Sequence, residues 1–189
     1  MSTIQEKFLL VQIRQQQDAA SFSKLYEMLS EPIYRFIYFK VDDQDLAQDL
    51  TAEVFLKCWK ELTAQERSEV KHLRAFVYTI ARNVVIDFYR SKENRQSSQS
   101  VGLDQVQDHP LTDAAYKAVE AKIESEQLLV VLKRLKSSYQ EVIVLRHVEG
   151  LSLKEISQVM KRTPTSTRVL LHRANQALKR EYDQTSSTT

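Results

Sequence analysis

The sequence predicts an all-α protein built as two small helical units joined by a linker. Only two Gly and three Pro occur in 189 residues, too few for the many turns of an all-β fold. Apolar residues recur at intervals of three and four through most of the chain, the period of a helix face. Residues 97–113 break that pattern with Ser97, Ser98, Gln99, Ser100, Gly102 and Pro110, the composition of a flexible linker. With the linker extended to 119, the units cover 1–96 and 120–183, and the polar residues 184–189 form a disordered tail. An apolar content of 42% supplies a core for each unit.

Composition also excludes several chemistries. Cys58 is the single cysteine, so no internal disulfide forms, and His72, His109, His147 and His172 have no metal-ligand spacing with it. Neither a metal nor a cofactor is expected. No Ser/His/Asp grouping or glycine-rich phosphate loop is visible, so the chain is not expected to be an enzyme. The N-terminus lacks a basic stretch followed by an apolar run, and no segment is long and apolar enough for a membrane span. The expected location is the cytoplasm.

In the first unit the run from Asp18 to Lys40 sets Phe22, Leu25, Tyr26, Leu29, Ile33, Phe36 and Ile37 on one helix face. Pro32 is predicted to kink or split that helix. From Asp42 to Leu62, Asp42, Asp45, Asp49 and Glu53 form an acidic stripe, and residues 42–61 hold six acids against Lys57 and Lys60. Such a stripe is either a solvated face or a docking surface for a basic partner, which would offset the repulsion between like charges.

The next helix, predicted over Lys71 to Asn94, buries Leu73, Phe76, Val77, Ile80, Ala81, Val84 and Phe88. Lys71, Arg74, Tyr78, Arg82, Tyr89 and Lys92 project together on the opposite side. Cations there neutralise phosphate and phenol rings stack on unpaired bases; alternatively the tyrosines pack beneath another helix. Asp87 falls on the apolar side, where a local pairing with Arg90 or Asn83 is expected.

In the second unit Leu128, Val131, Leu132 and Leu135 make a core stripe. Ser138 with Glu141 is predicted to form a capping box for a helix that ends at Gly150, and Ser152 with Glu155 a second one for a short helix. Lys161 to Thr163 then turn the chain, with Thr163 as N-cap and Pro164 in the first helical position. On the last helix Thr167, Leu171, Ala174 and Leu178 face inward, while Thr165, Arg168, Val169, His172, Arg173 and Gln176 face outward. Residues Lys161 to Arg180 hold six Lys or Arg and no acid, although the whole chain is only +2. A short turn between capped helices followed by a basic helix reads as a helix-turn-helix whose second helix meets DNA.

These segments resemble the extracytoplasmic-function sigma factors of the bacterial sigma-70 family. Asp49 to Trp59 (DLTAEVFLKCW) looks like their region 2.2, and Leu73 to Arg90 (LRAFVYTIARNVVIDFYR) like regions 2.3 and 2.4. Gly150 to Ile156 (GLSLKEI) and Leu171 to Ala174 (LHRA) look like region 4.2. The resemblance implies a sigma-2 helical bundle and a sigma-4 helix-turn-helix that direct core RNA polymerase to promoters and assist melting. It implies that Asp42, Asp45, Asp49 and Glu53 dock on the β′ clamp helices, with the β flap as a further polymerase contact. Lys71, Arg74, Tyr78, Arg82, Asn83, Tyr89 and Lys92, with the loop Thr63 to Val70, would engage the −10 element. Thr163, Thr165, Ser166, Arg168, Val169, His172 and Arg173 would read the −35 element. An anti-sigma factor is the remaining partner it implies, and direct membrane insertion is not expected.

The chain departs from the family in two places. Lys161 stands where many relatives have Gly, so the turn needs another backbone geometry or carries strain. Val169-Leu170 stands where they often have Ser-Arg, which removes a phosphate or base contact and lets Val169 meet a thymine methyl. A free-standing helix-turn-helix regulator is the alternative function. It would bind duplex DNA without polymerase, and it leaves the acidic stripe and the Lys71 to Lys92 face unexplained.

Overall fold

The computed structural model describes residues 4–41, 43–64, 70–96, 128, 131, 132 and 134–186. The first unit holds α1 (Ile4–Gln16), α2 (Ala19–Val41), α3 (Gln44–Thr63) and α4 (Leu73–Gln96). The second holds α5 (Ser137–Ile143), which runs on into a π-helical turn (Val144–Val148), then α6 (Leu153–Val159) and α7 (Pro164–Ser186). No strand occurs among the described residues. The linker placed at 97–119 lies outside the described residues, as does most of the loop Thr63 to Val70.

Caps set where these helices begin. Asp18 accepts hydrogen bonds from the backbone N–H groups of Ala20 and Ser21 at 3.2 and 3.0 Å, starting α2. Asp43 accepts from the N–H of Leu46 at 3.0 Å, starting α3. Each satisfies a donor that the first turn otherwise leaves unpaired. Helix α2 continues through Pro32 without splitting. The missing N–H removes one bond, but Ile33, Phe36 and Ile37 beyond it are fully buried and hold the last two turns in place.

The bundle core uses most of the faces predicted for α2 and α4, with Phe76 and Phe88 only half-buried, and adds Tyr78 and a face of α3 outside that prediction. Leu25, Leu29, Ile33, Phe36 and Ile37 of α2 meet Val54, Phe55, Cys58 and Leu62 of α3 and Leu73, Val77, Ile80, Ala81 and Val84 of α4, all buried. Each of the larger side chains contributes roughly 1.5–3 kcal/mol by leaving water. Phe22 is half-buried and Tyr26 exposed at the edge of this core. Asp87 is exposed rather than on the apolar side, while Phe88 and Tyr89 on the same turn of α4 still pack against the core.

In the second unit Val131, Leu132 and Leu135 are buried and Leu128 half-buried, as the periodicity predicts. The first predicted capping box does not form. Lys136 is the N-cap of α5 without a side-chain bond, and Glu141 turns instead to cations of the first unit. The second box does form, with Ser152 Oγ accepting from the N–H of Glu155 at 3.3 Å and Glu155 Oε2 accepting from the N–H of Ser152 at 2.8 Å. Burial would raise the Glu155 carboxyl, but the Ser152 hydrogen bonds hold it below the ordinary range. Helix α7 continues to Ser186, past the predicted end at 183, since i to i+4 bonding outlasts the apolar stripe.

Gly150 ends the π-helical turn at φ 68°, and the N–H of Leu151 reaches back to the carbonyl of Leu145 at 2.9 Å. The turn between α6 and α7 uses Lys161 at φ 51°. Its N–H meets the Gln158 carbonyl at 3.2 Å, and the Arg162 N–H meets the Ser157 carbonyl at 2.9 Å, the two bonds of a Schellman motif. Lys161 thus keeps the left-handed geometry that glycine usually supplies and carries the steric cost. Lys161→Gly is expected to raise the stability of this unit by up to about 1 kcal/mol, the relief of strain being partly offset by a more disordered unfolded chain. A thermal melt reads it, and an unchanged or lower midpoint would show that the turn is unstrained.

The two units touch. Helix α6 packs against α4, and the apolar cluster runs without interruption from α2, α3 and α4 into Val142, Leu145, Ile156 and Ala174. The linker composition gave no sign of this contact.

Candidate nucleic-acid interfaces

Helix α7 presents its outer face as the spacing predicts. Thr163 Oγ1 accepts from the N–H of Ser166 at 3.1 Å, and Pro164 occupies the first turn, where no N–H is needed. Thr167 and Ala174 are fully buried, anchoring one side. Thr163, Thr165, Arg168, Val169, His172 and Arg173 are exposed on the other, and Ser166 is half-buried. His172 Nε2 lies 3.0 Å from the Gln176 amide nitrogen, which steadies the imidazole on the helix surface. The orientation suits entry into a groove, with Arg168 and Arg173 available to phosphate or base edges.

Helix α4 departs from expectation. Lys71 and Lys92 are exposed, and Asn83 and Tyr89 are half-buried. Tyr89 donates its hydroxyl to the Lys40 carbonyl at 2.8 Å. Tyr78 and Arg82, however, are buried rather than exposed. Their side of α4 lies opposite Leu73 and Val77, but α2 and the second unit close over it: the Tyr78 ring packs edge-on against Phe36 of α2 at 5.4 Å between centroids, and α6 lies on α4. The alternative of tyrosines beneath another helix holds for Tyr78.

Two glutamates of the second unit make that cover. Glu149 accepts from Arg35 Nε at 3.0 Å and from a terminal nitrogen of the same guanidinium at 3.3 Å. The Tyr78 hydroxyl donates to it at 2.7 Å, and Arg74 donates to its backbone carbonyl at 2.7 Å. Glu141 sits 3.1 Å from Arg82 Nε and 3.2 Å from Lys40 Nζ. Burial alone would raise the Glu141 carboxyl, yet Lys40 and Arg82 together hold it below the usual range. Burial and the neighbouring Glu149 charge push the Tyr78 phenol well above its ordinary value, so it stays a neutral donor.

The π-helical turn puts both acids on one side. In a regular helix residues 141 and 149 would lie about 80° apart around the axis, whereas one extra residue in a widened turn reduces that to about 20°. Sequence reasoning missed Glu141, Glu149, Arg35 and Lys40 in this role. The signal available was slight: Glu141 stands in an otherwise apolar run, EVIVL, and Glu149 directly before Gly150.

On α3, Asp45 and Asp49 are exposed and Glu53 is half-buried, pairing with Lys57 at 2.7 Å. Asp42 lies outside the described residues. Beside the stripe, α2 and α3 border an open apolar groove of about 450 Å³ lined by Phe22, Tyr26, Phe55, Leu56 and Trp59. Leu56 is 71% exposed there. An acidic edge beside an apolar trough fits a basic amphipathic helix.

Cys58 is buried, and burial with the nearby Glu61 charge pushes its thiol up to about 12, so it is inert. No group of His, Cys, Asp and Glu among the described residues is arranged to hold a metal. None of the described helices is long and apolar enough to cross a membrane.

Comparison with known proteins places these surfaces in context. The profile for Sigma-70 region 2 matches residues 25–95, and that for Sigma-70, region 4 matches residues 125–178. The ECF RNA polymerase sigma factor BldN of Streptomyces coelicolor is 31% identical over 177 residues, covering 90% of this chain and 64% of that protein. SigM of Bacillus subtilis, also an ECF RNA polymerase sigma factor, is 27% identical over 166 residues, covering 86% of this chain and 96% of its own. Among solved structures, CnrH in complex with the cytosolic domain of CnrY superposes with a TM-score of 0.60 at 19% identity, covering 95% of this chain and 98% of that one. RpoE in complex with the anti-sigma factor NepR, from Bartonella quintana, gives 0.55 at 20% identity, covering 86% of this chain and 96% of that one. At these identities the two structures establish the shared fold.

Proposed function

This chain belongs to the extracytoplasmic-function branch of the sigma-70 family of RNA polymerase sigma factors, and from that premise we propose how its surfaces divide the work of promoter recognition. Helix α7 reads the −35 element through Thr163, Thr165, Ser166, Arg168, Val169, His172 and Arg173. Helix α4 engages the −10 element through Lys71, Arg74, Tyr78, Arg82, Asn83, Tyr89 and Lys92, which requires the second unit to leave that face. Asp42, Asp45, Asp49 and Glu53, with the adjoining apolar groove, dock on the β′ clamp helices, and the second unit meets the β flap. The chain performs no covalent step; it orients the polymerase and helps offset the stacking lost on melting. It works in the cytoplasm, and an anti-sigma factor restrains it, as CnrH and RpoE are each bound by a partner in their solved complexes.

The observation that carries this reading is the outward array on α7, where Arg168, Val169, His172 and Arg173 are all exposed on a helix anchored by the buried Thr167 and Ala174. A free-standing regulator would use the same helix but has no purpose for the acidic stripe and its groove. Two variants test the division. Arg168→Ala is expected to cut promoter-dependent run-off transcription by about 5- to 100-fold, the value of 1–3 kcal/mol for a base or phosphate contact, while polymerase affinity holds. Asp49→Lys is expected to weaken polymerase binding by roughly 5- to 30-fold, since reversing a rim charge changes attraction into repulsion, and to leave −35 duplex binding unaltered. Equal losses in both assays for both variants would refute the separation.

A further inference from the structure

Two carboxylates from the second unit occupy the cationic, phenol-edged side of α4. Glu141 and Glu149 are 3% and 4% exposed, so water is excluded from both. Their partners come from two helices of the first unit, Arg35 and Lys40 on α2 and Tyr78 and Arg82 on α4, with Arg74 of α4 closing on the Glu149 carbonyl. Arg82 and Tyr78 belong to the group assigned above to DNA, so a carboxylate stands where a phosphate or an unpaired base would. The cover is selective. Arg168 and His172 of α7, and Asp45 and Asp49 of α3, remain exposed in the same arrangement.

We propose that Glu141 and Glu149 form an intramolecular latch that mimics nucleic-acid phosphate and keeps α4 of the free chain from engaging single-stranded DNA until the two units separate. This rests on the reading of α4 as the −10 surface. The geometry favours a latch over incidental packing. Six polar contacts from five residues converge on two side chains and one carbonyl, and the π-helical turn is what brings both acids to the same side. A buried ion pair gives little net stability but strongly specifies which surfaces meet. Because closure exchanges one set of charged partners for another of the same kind, DNA phosphate competes for Arg82 without leaving it unpaired.

The test uses the full chain with fluorophores on Gln48→Cys and Lys179→Cys, both at exposed positions; the buried Cys58 does not compete for label. The parent is expected to show a predominant compact, high-transfer state, about nine-tenths of the population. The isosteric pair Glu141→Gln with Glu149→Gln is expected to shift it to low transfer. It is also expected to bind a short mixed-sequence single-stranded DNA about tenfold more tightly, the gain when a competent state rises from about a tenth of the population to most of it. Circular dichroism verifies that the variant is folded. If it is not, the charge swap Glu141→Arg with Arg82→Glu and Lys40→Glu serves instead, with Glu141→Arg alone expected to open the chain and the swap to close it. A variant that stays compact overturns the latch. One that opens without gaining DNA affinity overturns the masking role. The underlying −10 reading fails separately, if Arg82→Ala leaves transcription by the assembled polymerase unchanged.

Discussion

Arg82→Ala is expected to act in two opposing directions, opening the free chain while weakening transcription by the assembled polymerase. Its side chain is 10% exposed and that of Glu141 only 4%. Deleting the guanidinium leaves Glu141 with Lys40 at 3.2 Å as its remaining ion pair. Removing one partner of a buried pair costs about 3–5 kcal/mol when the other charge must stay buried. Here Glu141 regains water if the units part, so the loss is capped by the stability of closure and appears as separation rather than as unfolding. On the promoter, losing a cation from the −10 surface should lower run-off transcription by about 5- to 30-fold, or roughly 1–2 kcal/mol. Solution scattering and transcription read the two effects independently. An expanded chain with undiminished transcripts would confine Arg82 to closure; a compact chain with diminished transcripts would confine it to DNA.

Ile156→Ala is expected to cost the second unit about 2–5 kcal/mol, the usual loss for truncating a buried aliphatic side chain without collapse of the cavity. Ile156 is fully buried on α6, and α6 packs on both α4 and α7. A unit this small has little stability in reserve, and each kcal/mol lowers the melting midpoint by roughly 4–8 °C. Binding to −35 duplex should fall with the folded fraction even though no surface residue changes, while polymerase docking through α3 persists. Calorimetry checks this. A midpoint lowered by less than about 4 °C would mean that the α6 core relaxes to fill the space.

Much of the architecture was legible in the sequence because the information is local. Helix faces such as Leu25, Leu29, Ile33 and Phe36 follow from periodicity, and the Ser152 with Glu155 box and the Thr163 cap follow from hydrogen bonds spanning three residues. The outer face of α7 was read correctly for the same reason: its inward residues Thr167 and Ala174 pack within one small unit. The Ser138 with Glu141 box failed although its pattern was equally good. A charged pair with Arg82 and Lys40, drawn from helices far away in sequence, outcompetes a local N–H for that carboxylate. The widened turn at Val144–Val148 was likewise invisible, since a helical pattern of apolar residues does not distinguish one extra residue per turn.

The order of residues, then, was sufficient to specify the helices, most of their inward faces, the Ser152 and Thr163 caps and the outward basic face of α7. Whether a given outward face meets water was not encoded there. Tyr78 and Arg82 lie opposite Leu73 and Val77 on the wheel, yet Tyr78 packs its ring on Phe36 of α2, 5.4 Å between centroids, and both are sealed by Glu149 and Glu141 from across more than fifty intervening residues. A helical wheel registers the angle of a side chain around its own axis; burial depends on what else occupies that space, and long-range charge pairing settled it here.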